Sequence, residues 1–258
     1  MIAEALVYAA TVPVTQKAHR KFIRYSVNLW SRAGRCSGPW AEHEQNSRNA
    51  ILQAMAGLRQ KRTAVVLGSG LLRDVPIKEL AEAFDTVVLV DLVHLASVRL
   101  WLKLRGYRNV RPIERDLSGY DELAGYDKLT TGNAPEPLGF LRSVPYLDFV
   151  VSANLLSQIG RGVMRRFEAE EQGRMPGDTV ARLIGAHLAD LTALPCRTYL
   201  LTDISYAVID RTGKVHDEAD LLHGVAPPPA KAWWSWPVVP IGEESADYQI
   251  VHRVIAAY

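Results

Sequence analysis

The stretch TAVVLGSGLLRDVPIKELAEAFDTVVLVD, residues 63–91, constrains this chain more than any other part of it. A short β-branched run ends in a glycine turn. A helical pattern follows, and a second apolar run stops on an acid. That order is half of a nucleotide-binding βαβ unit. Gly68 and Gly70 lack Cβ atoms, so backbone around Ser69 can approach a ligand closely. Asp91 falls at the carboxyl end of the second strand, where a carboxylate can accept hydrogen bonds from both hydroxyls of a ribose. The pair of glycines is a weak signal alone; the succession of parts carries the reading.

Alternation of strand and helix continues downstream. HLASVRLWLKL reads as an amphipathic helix ended by Gly106, and NVRPIERD as a third strand. YLDFVVSAN is a fourth strand. A helical zone over about 155–194 is interrupted near Pro176. RTYLLTDISY is a fifth strand, YAVIDRTGKV a hairpin turning at Arg211 to Gly213, and YQIVHRVIAAY a last strand. Asp74 is the expected N-cap of the first helix, with Pro76 in its first turn. Residues 224–245, rich in Pro and Trp, are expected to form a loop. Upstream, 15–62 reads as two or more helices broken around RAGRCSGPW. The pattern predicts an α/β fold: a Rossmann-like, mostly parallel sheet with helices on both faces, an antiparallel C-terminal strand and a helical N-terminal extension. The expected division is a helical cap over 1–62 and a sheet domain over 63–258.

The remaining bulk properties exclude some classes. The chain of 258 residues is 48% hydrophobic and 22% charged, as in ordinary globular proteins. Two cysteines, Cys36 and Cys196, far apart in sequence, form neither a disulfide framework nor a zinc pattern. A reducing cytosol is the expected compartment. MIAEALVYAATVPV has no basic leader and carries Glu4, so no signal peptide is read, and no apolar run is long enough to span a bilayer. Residues 1–62 hold ten Lys and Arg against three Asp and Glu, a bias that suits a solvated helical face or an acidic ligand. No cluster has metal-ligand spacing; EHE around His43 lacks the HExxH pattern.

Two nucleotide-like ligands suit the first βαβ unit. A dinucleotide asks for GxGxxG, but Arg73 occupies the third glycine's place. S-adenosylmethionine carries no phosphate and needs a tight turn, a carboxylate for the ribose and a polar group near the adenine. LGSG, Asp91 and Asp116 in ERDL offer these in order. On these residues the segment from about 63 to 203 resembles a class I S-adenosylmethionine-dependent methyltransferase. VVLGSG resembles that family's glycine motif, LVDL its acidic second-strand motif, and DFVVSANLLSQIG its fourth-strand motif. The resemblance implies a cofactor site of Gly68, Ser69, Gly70, Asp91, Leu92, Asp116, Leu117, Ser152 and Asn154, with Asn154 at the methyl end. It implies transfer by direct displacement to an oxygen or nitrogen of a small-molecule acceptor. Val66 and Leu72 stand where the family usually has an acid and often a third glycine. They keep open a catalytically inactive binding protein on the same fold. An NAD-dependent oxidoreductase is disfavoured by Arg73, and a nucleic-acid methyltransferase by SANL where a base-flipping tetrapeptide would stand. A homodimer is compatible with the sequence.

Methyl transfer needs alignment more than a base. His43, in the polar run WAEHEQNSRN, is a candidate base on a helix that could cover the cofactor; solvent exposure is its other reading. Asn154 and Asp91 could equally cap helices. Trp233 and Trp234, near Glu243 and Glu244, suit a flat or cationic substrate, and can also simply pack their segment onto the sheet. His223 is a further substrate-side candidate and His252 a further histidine of interest, each with a structural alternative.

Overall fold

The computed structural model describes residues 2–122, 135–169 and 175–257. Three helices come first: α1 (Ile2–Thr11), α2 (Ile23–Arg35) and α3 (Ser37–Ala56). The break expected around RAGRCSGPW is confined to Cys36, with Gly34 inside α2 and Pro39 in the first turn of α3. Then follow β1 (Thr63–Leu67), α4 (Ile77–Ala83), β2 (Thr86–Asp91), α5 (Ala96–Leu104), β3 (Val110–Glu114) and β4 (Leu147–Ala153). The chain continues through α6 (Leu156–Ala169), α7 (Thr179–Ala193), β5 (Arg197–Asp210), β6 (Val215–Asp220), β7 (Ala232–Val239) and β8 (Tyr248–Ala257). Of the helical zone expected over 155–194, residues 170–174 lie outside the described residues.

The eight strands form one sheet in the order β3-β2-β1-β4-β5-β8-β7, with β6 paired to the outer half of β5. The pairings from β3 through β5 are parallel, whereas β8 runs antiparallel to both β5 and β7. This is the expected Rossmann-like sheet with its reversed last strand. All five residues of β1 are buried, as befits a strand covered on both faces. Strand alternation sends Ala64 and Val66 into one core with α3, α4 and α5, and Val65 and Leu67 into another with α6 and α7. β1 has β2 on one side and β4 on the other, so the chain switches direction across the sheet there. A crevice outside the strand ends belongs at that place.

Two local expectations are corrected. Residues 232–239 are strand β7 rather than loop, paired along β8 from Ala232↔Ala256 to Val239↔Ile250. Proline is tolerated in it because β7 lies at the sheet's edge. Asp74 does not cap α4: Pro76 occupies that place, no side chain bonds the helix end, and the Asp74 carboxylate turns to Asn154 instead.

The N-terminal helices share the main core. Ile23, Val27, Ile51 and Met55 pack in one cluster with Val66, Leu89 and Trp234. The segment after α1 crosses the β3 end, where buried Glu114 accepts bonds from Gln16 N–H (2.8 Å) and Arg99 Nη2 (2.7 Å). Among the described residues no helix is long and apolar enough to cross a membrane.

Candidate functional site

The carboxyl ends of β1, β2 and β4 lie side by side, at the switch point where a ligand crevice belongs. After β1 the backbone turns through Gly68 (φ +72°) and Gly70 (φ +49°). A Cβ on Gly68 would lie 2.7 Å from the Ala153 carbonyl oxygen, so only glycine lets β1 leave the sheet this close to β4. Leu72 also adopts a positive φ, +61°. The backbone there is of the kind glycine favours, although the residue is a buried leucine. Such strain in a non-glycine residue persists only where its surroundings enforce it.

Asp91 ends β2 and faces this turn. Gly70 N–H donates to its Oδ2 and Leu92 N–H to its Oδ1, each at 2.7 Å. The two amides fix the carboxylate plane across the mouth of the turn. Each oxygen keeps a further lone pair to accept from a ligand hydroxyl. His94, just beyond, is buried with Nε2 3.1 Å from the Ile113 carbonyl oxygen. Burial lowers its pKa, although the Asp91 charge pulls the other way.

On the β4 side, Asn154 takes a left-handed conformation (φ +49°), which asparagine tolerates well. Its Nδ2 donates to Asp74 Oδ2 at 2.6 Å, and burial pushes the Asp74 carboxyl above its ordinary range. Ser69 Oγ and Asn154 Oδ1 are both buried with no hydrogen-bond partner among the described residues. Buried polar groups are rarely left so in a finished structure. Two of them at neighbouring strand ends mark a place where a polar ligand is expected.

The other predicted cofactor residues are less open. Ser152 Oγ is buried 3.0 Å from His187 Nε2, and burial lowers the His187 pKa to about 4. Asp116 is paired with Arg166 (2.8 Å) and bonded by Ser118 N–H, while Leu117 is buried in the core with α6 and α7. Leu92 is half-buried beside Asp91.

The histidines and tryptophans are rearranged relative to expectation. His43 is buried rather than solvent-exposed, stacked on Trp236 with centroids 4.0 Å apart, and its Nδ1 accepts from Trp234 Nε1–H at 3.1 Å. Desolvation lowers its pKa to about 3. The ring is therefore neutral, its one lone pair is engaged, and Nε2 carries the proton. Trp234 is buried in the core, whereas Trp233 is exposed on the edge strand under Arg253, 4.9 Å from its guanidinium carbon. His223 lies beside Gly160 of α6.

Sequence reading named His252 singly but missed the partners that make it part of a second polar group. His252 Nδ1 lies 2.6 Å from Asp203 Oδ2, and Ser157 Oγ–H donates to Asp203 Oδ1 at 2.6 Å. Burial works against the Asp203 carboxylate. The bonds from His252 and Ser157 outweigh it and hold the pKa below the ordinary range. With Nδ1–H directed at Asp203, Nε2 is the ring nitrogen of His252 left for a further partner. Trp236 separates the two histidines, edge-on to His252 at 5.9 Å. Its own Nε1 is buried without a partner among the described residues. The contacts span 46 and 49 residues in sequence, so no local motif announces them.

Neither a family model nor a curated relative matches the sequence. Solved structures similar in fold include the N-methyltransferase NodS of Bradyrhizobium japonicum with S-adenosyl-L-homocysteine (10% identity, 83% of this chain and 87% of that one, TM-score 0.37). Another is 1,6-didemethyltoxoflavin-N1-methyltransferase of Burkholderia thailandensis with its substrate and S-adenosylhomocysteine (15% identity, 91% and 88% covered, TM-score 0.41). A third is an S-adenosylmethionine-dependent methyltransferase of Aquifex aeolicus (10% identity, 81% and 89% covered, TM-score 0.35). At such identities and scores these likenesses assign no activity to this chain.

The crevice itself separates the candidate ligands. A pyrophosphate needs a helix N-terminus directly after the glycine turn. Here α4 starts only at Ile77, and the chain from Leu71 to Pro76 is irregular. The turn therefore offers a dinucleotide no helix dipole. It suits a ligand with a ribose and no phosphate, which asks only for close backbone, a carboxylate and neutral hydrogen-bonding groups. Among the described residues no group of three or more His, Cys, Asp or Glu is placed to hold a metal ion.

Proposed function

We propose that the protein is an S-adenosylmethionine-dependent methyltransferase acting on a small-molecule oxygen or nitrogen nucleophile. The observation that carries the reading is the Asp91 carboxylate, pinned by the amides of Gly70 and Leu92 at the mouth of a turn with no helix behind it. Asp91 would hold the ribose hydroxyls. Gly68 and Gly70 would let backbone lie against the amino-acid end, and the unpaired Ser69 Oγ and Asn154 Oδ1 would bond polar groups of the cofactor. When bound, the cofactor supplies a methyl group already activated by its sulfonium.

The chain's own work is then alignment and proton handling. The Asp203–His252 pair would present His252 Nε2 to the acceptor, while His43 offers only an N–H. Asp203 and Ser157 act through His252 by fixing its ring. Helices within 1–62 would roof the crevice as a cap on the sheet domain of 63–258. The two cysteines are free, which suits a reducing compartment.

The test is calorimetric titration of ligand-free protein with S-adenosylmethionine, S-adenosylhomocysteine and NAD. The expected result is micromolar binding of the two adenosyl sulfur compounds, none of NAD, and loss on Asp91→Ala. A missing carboxylate that bonds two hydroxyls should weaken binding by roughly a hundredfold or more. Binding of NAD alone, or binding indifferent to Asp91→Ala, overturns the reading. Cofactor binding without transfer to any acceptor points to the inactive binding protein.

A further inference from the structure

Two carboxylates stand on opposite sides of the glycine turn. β1 lies between β2 and β4 in the sheet. Asp91, at the end of β2, takes the Gly70 N–H on one side. Asp74, in the loop that follows the turn, reaches the β4 side and takes the Asn154 Nδ2–H at 2.6 Å. The chain gets there through a tight bend. Leu72 N–H donates to the Ser69 carbonyl oxygen (3.1 Å), and Leu72 itself has the left-handed backbone. That leucine is buried, so packing holds the strained bend that carries Asp74 back toward β4.

Asp74 has no cation of its own. Among the described residues its carboxylate takes part in no ion pair, and the guanidinium groups near it, of Arg48 and Arg73, both turn to Glu44. Burial is the largest influence on the Asp74 carboxyl and raises its pKa; the Asn154 bond opposes this, and the Glu44 and Arg48 charges act in opposite directions. A desolvated carboxylate without a counter-ion is costly, and a bound cation relieves that cost. The group is also within reach of a ligand, because Asp74 is only half-buried. β1 is buried and apolar to its end, so it brings no charge to the turn. The carboxylate on the β4 side comes from the loop instead.

We propose that Asp74, its carboxylate directed by Asn154, binds the ammonium group at the amino-acid end of S-adenosylmethionine. The proposal rests on the methyltransferase reading. Asp91 and Asp74 then divide the ligand between them, with neutral hydroxyls at the first and positive charge at the second. The cofactor has the same order, its ribose and its ammonium lying on opposite sides of the sulfur.

Calorimetric titration with S-adenosylhomocysteine and its deamino analogue, whose side chain ends in a plain butyrate, tests it. Wild-type protein should bind S-adenosylhomocysteine on the order of thirtyfold more tightly than the analogue. Asp74→Asn keeps a carbonyl oxygen for Asn154 Nδ2 and removes only the charge. It should bring the two compounds to within about threefold of each other by weakening S-adenosylhomocysteine alone. If Asp74→Asn fails to fold, Asp74→Ser should erase the same preference. Equal affinities in wild-type protein, or an equal loss of both compounds in Asp74→Asn, overturn the role of Asp74 and leave the methyltransferase reading standing. A loss confined to S-adenosylmethionine does the same, because it places the sulfonium and not the ammonium at Asp74. Failure of both compounds to bind wild-type protein overturns the methyltransferase reading, and the Asp74 role with it.

Discussion

At Gly68 two constraints meet on one atom that is absent. The left-handed backbone disfavours any Cβ, and the Ala153 carbonyl oxygen would stand 2.7 Å from it. Gly68→Ala should therefore cost about 3 kcal/mol, combining the left-handed penalty with the displacement of β4 backbone. Urea unfolding would read this as a lower midpoint at unchanged slope, and a midpoint equal to wild type would show that β1 and β4 can part without cost. Gly70 makes a contrast: its Cβ would approach nothing nearer than the Gly68 carbonyl oxygen at 3.9 Å. Its contribution to the site lies in the N–H it gives Asp91. Gly68, Gly70 and Asp91 were legible in the sequence because turn and acid belong to one βαβ unit, and residues that close in the chain are brought together by local folding. Asp203 was not, and His252 stood out only singly, because only the pairing of β5 with β8 brings the two together.

At the scale of the element, β7 is the most instructive piece. A run of Trp and Pro reads as loop because proline interrupts a strand ladder, and the sequence does not say which strand lies at the edge. The alternation is nevertheless present. Trp234 and Trp236 point inward to His43, and Trp233 points outward to Arg253. The doubly covered strands β1, β2 and β4 were readable because burial on both faces demands unbroken apolar runs. Helix α1 drew attention only as an apolar leader, since its sides are mostly exposed. Trp234 sits in the core with an N–H that completes His43. Trp234→Ala should cost about 3–5 kcal/mol as a large-to-small core change, rather than act on substrate affinity alone. Denaturant unfolding with Michaelis kinetics on the folded fraction separates the two; an unshifted midpoint with a raised KM would restore Trp234 as a substrate contact.

For the whole molecule, three rings buried in neutral form set the response to acid. Burial lowers the pKa of His43 to about 3, of His187 to about 4, and that of His94 below its ordinary value. An unfolded histidine takes its proton near pH 6.5. Between that point and the depressed folded values the unfolded state holds the extra protons. Stability is therefore full above about pH 6.5 and falls as the pH drops, by roughly 1.4 kcal/mol per unit for each ring involved. Urea midpoints at about pH 7.5 and 5 should differ accordingly, and equal midpoints would mean that these rings are solvated. The strand order has a consequence of another kind. β8 lies inside the sheet, between β5 and β7, yet it leaves the ribosome after every other strand. During synthesis the parallel half can assemble on the emerging chain, but β7 has no partner until β8 arrives, and His252 reaches Asp203 at that same moment. The Asp203–His252 contact therefore forms only after the parallel half of the sheet has been synthesised.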